Sequence, residues 1–230
     1  MKEKTIKAAF KSSIPVMMGY IVLGIAFGML LNAKGYGIWW ALLMSICIYA
    51  GSMQFVTIDL LVSGASLVSA AIMTLLINAR HFVYGLSMIS KYENMGKKKP
   101  YMIFSLTDET YSLLVGSNAP DGCDENDYYF YVSLFDQFYW VLGSVVGSLI
   151  GSVLPINTTG MDFAMTALFV TIVVNQFLDN KDHIYNYLGF VVSIIGLLLF
   201  GSSNFIIPSM IFIIIGLLMI YYKKEDSKNE

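Results

Sequence analysis

Apolar residues along most of this chain do not alternate with polar ones; they run in blocks. Blocks at roughly 14 to 33, 38 to 62, 66 to 89, 129 to 153, 161 to 178, 184 to 200 and 204 to 222 approach or exceed the ~20 residues that a helix needs to cross a bilayer. An eighth, shorter block, Tyr101 to Val115, is interrupted by Thr107, Asp108, Glu109 and Thr110. Lipid cannot satisfy such groups, so this block predicts either a span facing a cavity or a re-entrant piece. The stretch Ala119 to Asp127 is the most polar and is expected in water.

The pattern predicts an all-α polytopic membrane protein of seven or eight transmembrane helices, with broken or re-entrant helices among them. A basic amphipathic segment, 1–13, leads into a single transmembrane domain over 14–222, and a charged tail over 223–230 closes the chain. A faint internal repeat lies within it: Gly51-Ser52-Met53-Gln54-Phe55-Val56-Thr57 aligns with Gly160-Met161-Asp162-Phe163-Ala164-Met165-Thr166. Repeats over 14–90 and 129–200, linked by 91–128, would suit a secondary transporter.

Composition agrees with the pattern. Of 230 residues 57% are hydrophobic and 13% charged, against roughly 25% charged in soluble domains, so an ordinary cytosolic enzyme is excluded. No basic patch suggests nucleic acid. Cys47 and Cys123 lack the spacing of a metal site, and no motif asks for a cofactor. Lysines crowd the start (Lys2, Lys4, Lys7, Lys11), the end (Lys223, Lys224, Lys228) and the stretch Lys91, Lys97, Lys98, Lys99. Eight crossings put both termini in the cytoplasm but leave the middle cluster outside. Moving that cluster inside requires one of the first three runs to be re-entrant, or one terminus outside.

Small residues mark helix packing. Gly143, Gly147 and Gly151, each followed by serine, form a flat face on which a neighbouring helix can approach closely, and Gly24 with Gly28 forms a shorter one. Sequence alone leaves open whether the partner helix lies in this chain or another.

The few charges inside the runs are more informative, because an intramembrane charge should face a cavity or a partner. From 35 to 90 they are Asp59 and Arg80, and from 128 to 178 they are Asp136 and Asp162. Asn78-Ala79-Arg80-His81 joins a permanent cation that can hold a carboxylate to a group that titrates near neutrality. The alternative is an interfacial arginine snorkelling to lipid phosphate. Adjacent on a helix, Asp108 and Glu109 diverge by about 100°. One could pair with Arg80 while the other carries a proton; both could instead simply cap a helix terminus. Gly51, Ser52 and Gln54 lie where a helix can break and expose backbone groups to a substrate, with Asp59 expected nearby. Asp162 after Gly160 suits a helix cap, and Phe135-Asp136-Gln137-Phe138-Tyr139-Trp140 reads as an aromatic interface belt. Gly85-Leu86-Ser87 lacks the surroundings of a nucleophile, and there is no Walker-type phosphate loop.

Together these residues resemble the AzlC family of branched-chain amino acid exporters. The resemblance rests on Pro15-Val16-Met17-Met18-Gly19-Tyr20, Gly24-Ile25-Ala26-Phe27-Gly28, Tyr49-Ala50-Gly51-Ser52-Met53-Gln54-Phe55, Asn78-Ala79-Arg80-His81, Thr107-Asp108-Glu109 and Gly160-Met161-Asp162-Phe163-Ala164. Ala79 and Asp59 depart from the family pattern. The resemblance implies a multi-pass permease of the bacterial cytoplasmic membrane that exports leucine, isoleucine and valine, with methionine a further candidate. It also implies a small AzlD-like membrane subunit as partner. Proton coupling is the natural mechanism; a passive small-solute channel and a non-transporting scaffold are the alternatives.

Overall fold

The computed structural model describes residues 2–154, 163–179 and 183–229. Every regular element among them is helical: α1 (Lys2–Ala33), α2 (Ile38–Cys47), α3 (Gly51–Val62), α4 (Leu67–Ser87), α5 (Lys99–Phe104), α6 (Asp108–Val115), α7 (Glu125–Val153), α8 (Phe163–Asp179), α9 (Ile184–Asn204) and α10 (Ile206–Asn229), with one 3₁₀ turn at Gly96–Lys98. Four described helices are long and apolar enough to cross a membrane: α1, α4, α7 and α9 up to Gly201. The basic segment before residue 14 continues into α1 as one helix through Pro15. The chain forms two compact units, Met1–Thr166 and Ala167–Glu230. In the second, Phe177 meets His183, Tyr187 and Phe190, and the Ser209 side chain of α10 sits on Gly196 of α9. Gly160, Met161 and Asp162, hence the start of the second copy of the repeat and the proposed cap, lie outside the described residues.

The spine of the first unit is the parallel pair α1 and α7, joined by the glycines that the sequence singles out. A Cβ on Gly24 would lie 3.0 Å from the Ser144 amide nitrogen, one on Gly28 2.6 Å from that of Ser148, and one on Gly143 2.8 Å from the Ile21 carbonyl oxygen. On Gly147 it would strike the Ile25 carbonyl, and on Gly151 it would lie 3.2 Å from Asn32 Cβ. The small-residue faces therefore pack against each other within the chain, backbone on backbone, as lipid-embedded helices do when no side chain intervenes.

Read along α7 as a ruler, at about 1.5 Å per residue, the eighth apolar block is re-entrant. It consists of two helices of 6 and 8 residues, too short to cross. Just ahead of α5, Lys98 pairs with Asp127. The far end of α6 returns to the same level, where Tyr129 Oη donates to the Ser117 carbonyl at 3.3 Å. Between them, Thr110 in the first turn of α6 donates to Asp136, 2.8 Å away and deeper along α7. Lys91 closes the C-terminal end of α6, donating to the carbonyls of Leu114 (2.6 Å) and Ser117 (2.9 Å). Helix C-termini leave carbonyls without intrahelical donors, and an ammonium there satisfies both the hydrogen bond and the dipole.

The run from 38 to 62 is also a pair, entering from the opposite end. The chain leaves α1 at its C-terminus, where the Tyr36 amide bonds the Leu31 carbonyl, and α2 climbs until Gln137 Nε2 reaches the Ile46 carbonyl at 3.4 Å. Ile48 to Ala50 reverse the chain, Tyr49 adopting φ 43°, a left-handed conformation that non-glycine residues rarely take. α3 then descends, Phe55 meeting Phe27 of α1 at a centroid distance of 5.6 Å. The break thus precedes Gly51, and Gly51 to Gln54 form the helical start of α3 rather than an unwound stretch. α4 carries the chain from there to the lysine-bearing end, passing Ser52 at Arg80. With the second run re-entrant, Lys4 beside the loop at Asp121, Lys91 and Lys98 gather at one end of the α1–α7 pair, and the conflict between the N-terminal and middle lysine clusters disappears.

Candidate functional site

The tips of the two broken pairs meet where α1 and α7 pass, Tyr49 facing Phe104 at 6.3 Å between ring centroids. Both half-helices that leave these tips, α3 and α6, start there. Their first-turn N–H groups, and the positive ends of their dipoles, are therefore at mid-depth. They are treated differently. Thr107 caps α6, its Oγ1 accepting from the Thr110 amide at 3.4 Å. Ala50 offers α3 no side-chain cap.

Arg80 of α4 joins the two starts. Its Nη2 donates to Ser52 Oγ at 2.7 Å, and its Nη1 pairs with Asp108 Oδ2 at 2.6 Å. His81 Nε2 lies 3.8 Å from the other oxygen, Asp108 Oδ1. Arg80 and Asp108 retain 27% and 20% side-chain exposure, so the pair borders accessible space, and Arg80 is bound to protein rather than extended toward lipid headgroups. Arg80 Nε and Asn78 Oδ1 are buried without a hydrogen-bond partner among the described residues. Buried polar atoms are seldom left so, and the spare donor of Arg80 lies beside the uncapped helix start, where Arg80 meets Ser52.

Behind this cluster is a drier layer. As their divergence on the helix requires, Asp108 turns to Arg80 while Glu109 turns to α1 and accepts from Tyr20 Oη at 2.8 Å. Tyr20 Oη also contacts Thr107 Oγ1 at 2.6 Å. Asp136 is fully buried and accepts from Thr110. Gln54, also fully buried, accepts from Trp140 Nε1 at 2.8 Å and donates to Ser45 at 3.3 Å, tying α3 to α7 and α2.

Two expectations are corrected. Asp59 is exposed and takes no part in the cluster, because five residues along a helix turn through about 500°, well away from the Gln54 face. Tyr139 and Trp140 are 4% and 3% exposed, so these two rings beside Asp136 belong to the core and not to an interface belt, while Phe138 of the same stretch faces outward. Sequence reasoning also missed Tyr20, Thr110 and Trp140 as polar partners. The only signal available was the four-residue polar interruption at Thr107 to Thr110.

Two short half-helices starting at mid-depth, an arginine–aspartate pair between them and long apolar helices around them define a polytopic helical membrane protein with an internal polar site. Residues 15–154 match the family model described as AzlC protein. The chain is 40% identical over 94% of its length, and 85% of the relative's, to a Bacillus subtilis protein named branched-chain amino acid transport protein AzlC. It is 40% identical to an uncharacterized membrane protein of Helicobacter pylori, over 94% of this chain and 95% of that one. It is 29% identical to the Escherichia coli inner membrane protein YgaZ, over 73% and 71%. No solved structure matches. The chain belongs to the AzlC family.

Proposed function

We propose that this protein exports branched-chain and related apolar amino acids, leucine, isoleucine, valine and methionine, across the bacterial cytoplasmic membrane as a proton-coupled secondary transporter. The observation that carries the reading is Arg80, held between the uncapped start of α3 and the first turn of α6. A zwitterion fits this geometry without uncompensated charge. Its carboxylate takes the α3 N–H groups and Arg80, replacing Asp108, and its ammonium takes the carboxylate of Asp108 so released. Half-helix starts at mid-membrane are a recurrent way of holding an amino acid carboxylate. Glu109, one residue on and facing away from Arg80, is the proton carrier. The lysine-bearing end of α1 and α7 faces the cytoplasm by the positive-inside rule, and a small AzlD-like membrane subunit completes the assembly.

The test is uptake of labelled leucine into everted vesicles containing this chain and its partner, under an imposed proton gradient. Saturable, gradient-dependent uptake that Asp108→Asn or Glu109→Gln abolishes is expected. Unsaturable flux indifferent to the gradient indicates a passive channel, and no flux with an intact assembly indicates a scaffold; either result defeats the proposal.

A further inference from the structure

Between Glu109 and Asp136 lies a continuous chain of hydroxyl groups. Glu109 Oε2 contacts Tyr20 Oη at 2.8 Å, Tyr20 Oη contacts Thr107 Oγ1 at 2.6 Å, Thr107 Oγ1 contacts Thr110 Oγ1 at 3.1 Å, and Thr110 Oγ1 contacts Asp136 Oδ2 at 2.8 Å. All four are hydrogen-bond distances between oxygens. Each needs a hydrogen of its own, so the chain needs four, and the three hydroxyls of Tyr20, Thr107 and Thr110 bring three. The count does not depend on where any hydrogen is placed. The fourth hydrogen has to come from a carboxyl group at one end.

We propose that Glu109 and Asp136 are the two ends of a wire that holds one shared proton. With the proton on Glu109, Glu109 donates to Tyr20, Tyr20 to Thr107, Thr107 to Thr110 and Thr110 to the Asp136 carboxylate. With the proton on Asp136, every donation reverses and Glu109 is the carboxylate. Passing from one state to the other breaks and forms one O–H bond at each hydroxyl and moves a single proton from one carboxyl to the other. Nothing is oxidised or reduced.

The surroundings give the two ends different character. Glu109 is partly exposed and follows Asp108 on α6, within electrostatic reach of the Arg80–Asp108 pair assigned to substrate. Asp136 is fully buried, its Oδ1 without a hydrogen-bond partner among the described residues. The other ionisable side chains around it are phenols: Tyr49 of the first tip, Tyr101 of α5 and Tyr139 of α7. The wire therefore connects the edge of the substrate site to a dry carboxyl with no cation beside it among the described residues. Charge arriving at Arg80 and Asp108 acts first on the Glu109 end, so it can move the proton inward or outward. This use in transport rests on the proposed function, whereas the shared proton does not.

The test is infrared spectroscopy of the purified full-length protein at neutral pH, reading the carbonyl band of a protonated carboxyl and its shift in heavy water, in wild type, Glu109→Gln and Asp136→Asn. An amide at either end supplies the fourth hydrogen permanently, so each variant retains a complete chain and folds. The wild-type protein is expected to show the band and both single variants to lose it entirely, because the remaining carboxyl then only accepts. Absence of the band in wild type, or its survival in either variant, overturns the shared proton; a single folded variant that keeps the band is enough. Since no transport is measured, loss of the band in both variants alongside gradient-independent uptake would sink proton coupling and leave the wire standing.

Discussion

The seam between α1 and α7 and the junction of the two broken pairs lie at the same depth and solve opposite problems. In the seam, Gly24, Gly28, Gly143, Gly147 and Gly151 bring two helices into backbone contact, and neither helix starts or stops there. At the junction two helices stop and two start, so orphan backbone groups have to be met one by one. Thr107 caps α6, Lys91 closes its far end, and Arg80 attends the uncapped start of α3. The rigid seam holds the interrupted elements in place, and the interruptions leave polar capacity for a ligand. Packing tolerance should therefore be lowest at the seam, and functional sensitivity highest at the junction.

The largest effect expected is at the seam. Gly28→Leu and Gly147→Leu each drive a side chain into facing backbone, which cannot yield as a side chain can. A cost of about 3 kcal/mol or more should appear as loss of monodisperse protein in detergent. Next, Arg80→Gln should leave a folded protein, destabilised by about 2 kcal/mol through loss of a charge-assisted hydrogen bond, with leucine uptake reduced about tenfold or more, as for at least ~1.4 kcal/mol of lost binding. Uptake unchanged in this variant would show that the junction is merely structural. Trp140→Phe deprives buried Gln54 of its donor, and a fall of about 1–2 kcal/mol is expected in chemical denaturation. The smallest effect is at Gly51, where an added Cβ lies 3.1 Å from the edge of the Trp140 ring. Gly51→Ala should cost under about 1 kcal/mol in the same measurement, and a larger loss would place the junction under the same packing rule as the seam.

The seam was legible in the sequence because glycines at four-residue spacing in apolar runs have few other uses. The intramembrane charges Arg80, Asp108, Glu109 and Asp136 were legible because they are rare. The path of the second run was not. A largely apolar run such as 38–62 can cross a bilayer once or enter and return, and hydropathy is the same in both cases; only contacts far apart in sequence, Gln54 with Trp140 and Arg80 with Ser52, separate them. The hydroxyls were hidden for a related reason. A tyrosine or threonine in an apolar helix can pack as a core residue or donate to a distant carboxylate, and Tyr20 and Glu109 stand 89 positions apart.

The site exists only if the two broken segments enter from opposite faces, and labelling of single cysteines from each side of the membrane tests this directly. With Cys47 and Cys123 replaced by alanine and serine, cysteine is placed at Lys34, Ser63, Lys97 or Asn118, all exposed in turns or loops at the segment ends. Lys34→Cys and Ser63→Cys should react with an impermeant maleimide from one face, and Lys97→Cys and Asn118→Cys from the other. Labelling of positions 34 and 63 from opposite faces would make the second run a true crossing and remove the junction on which the site is built.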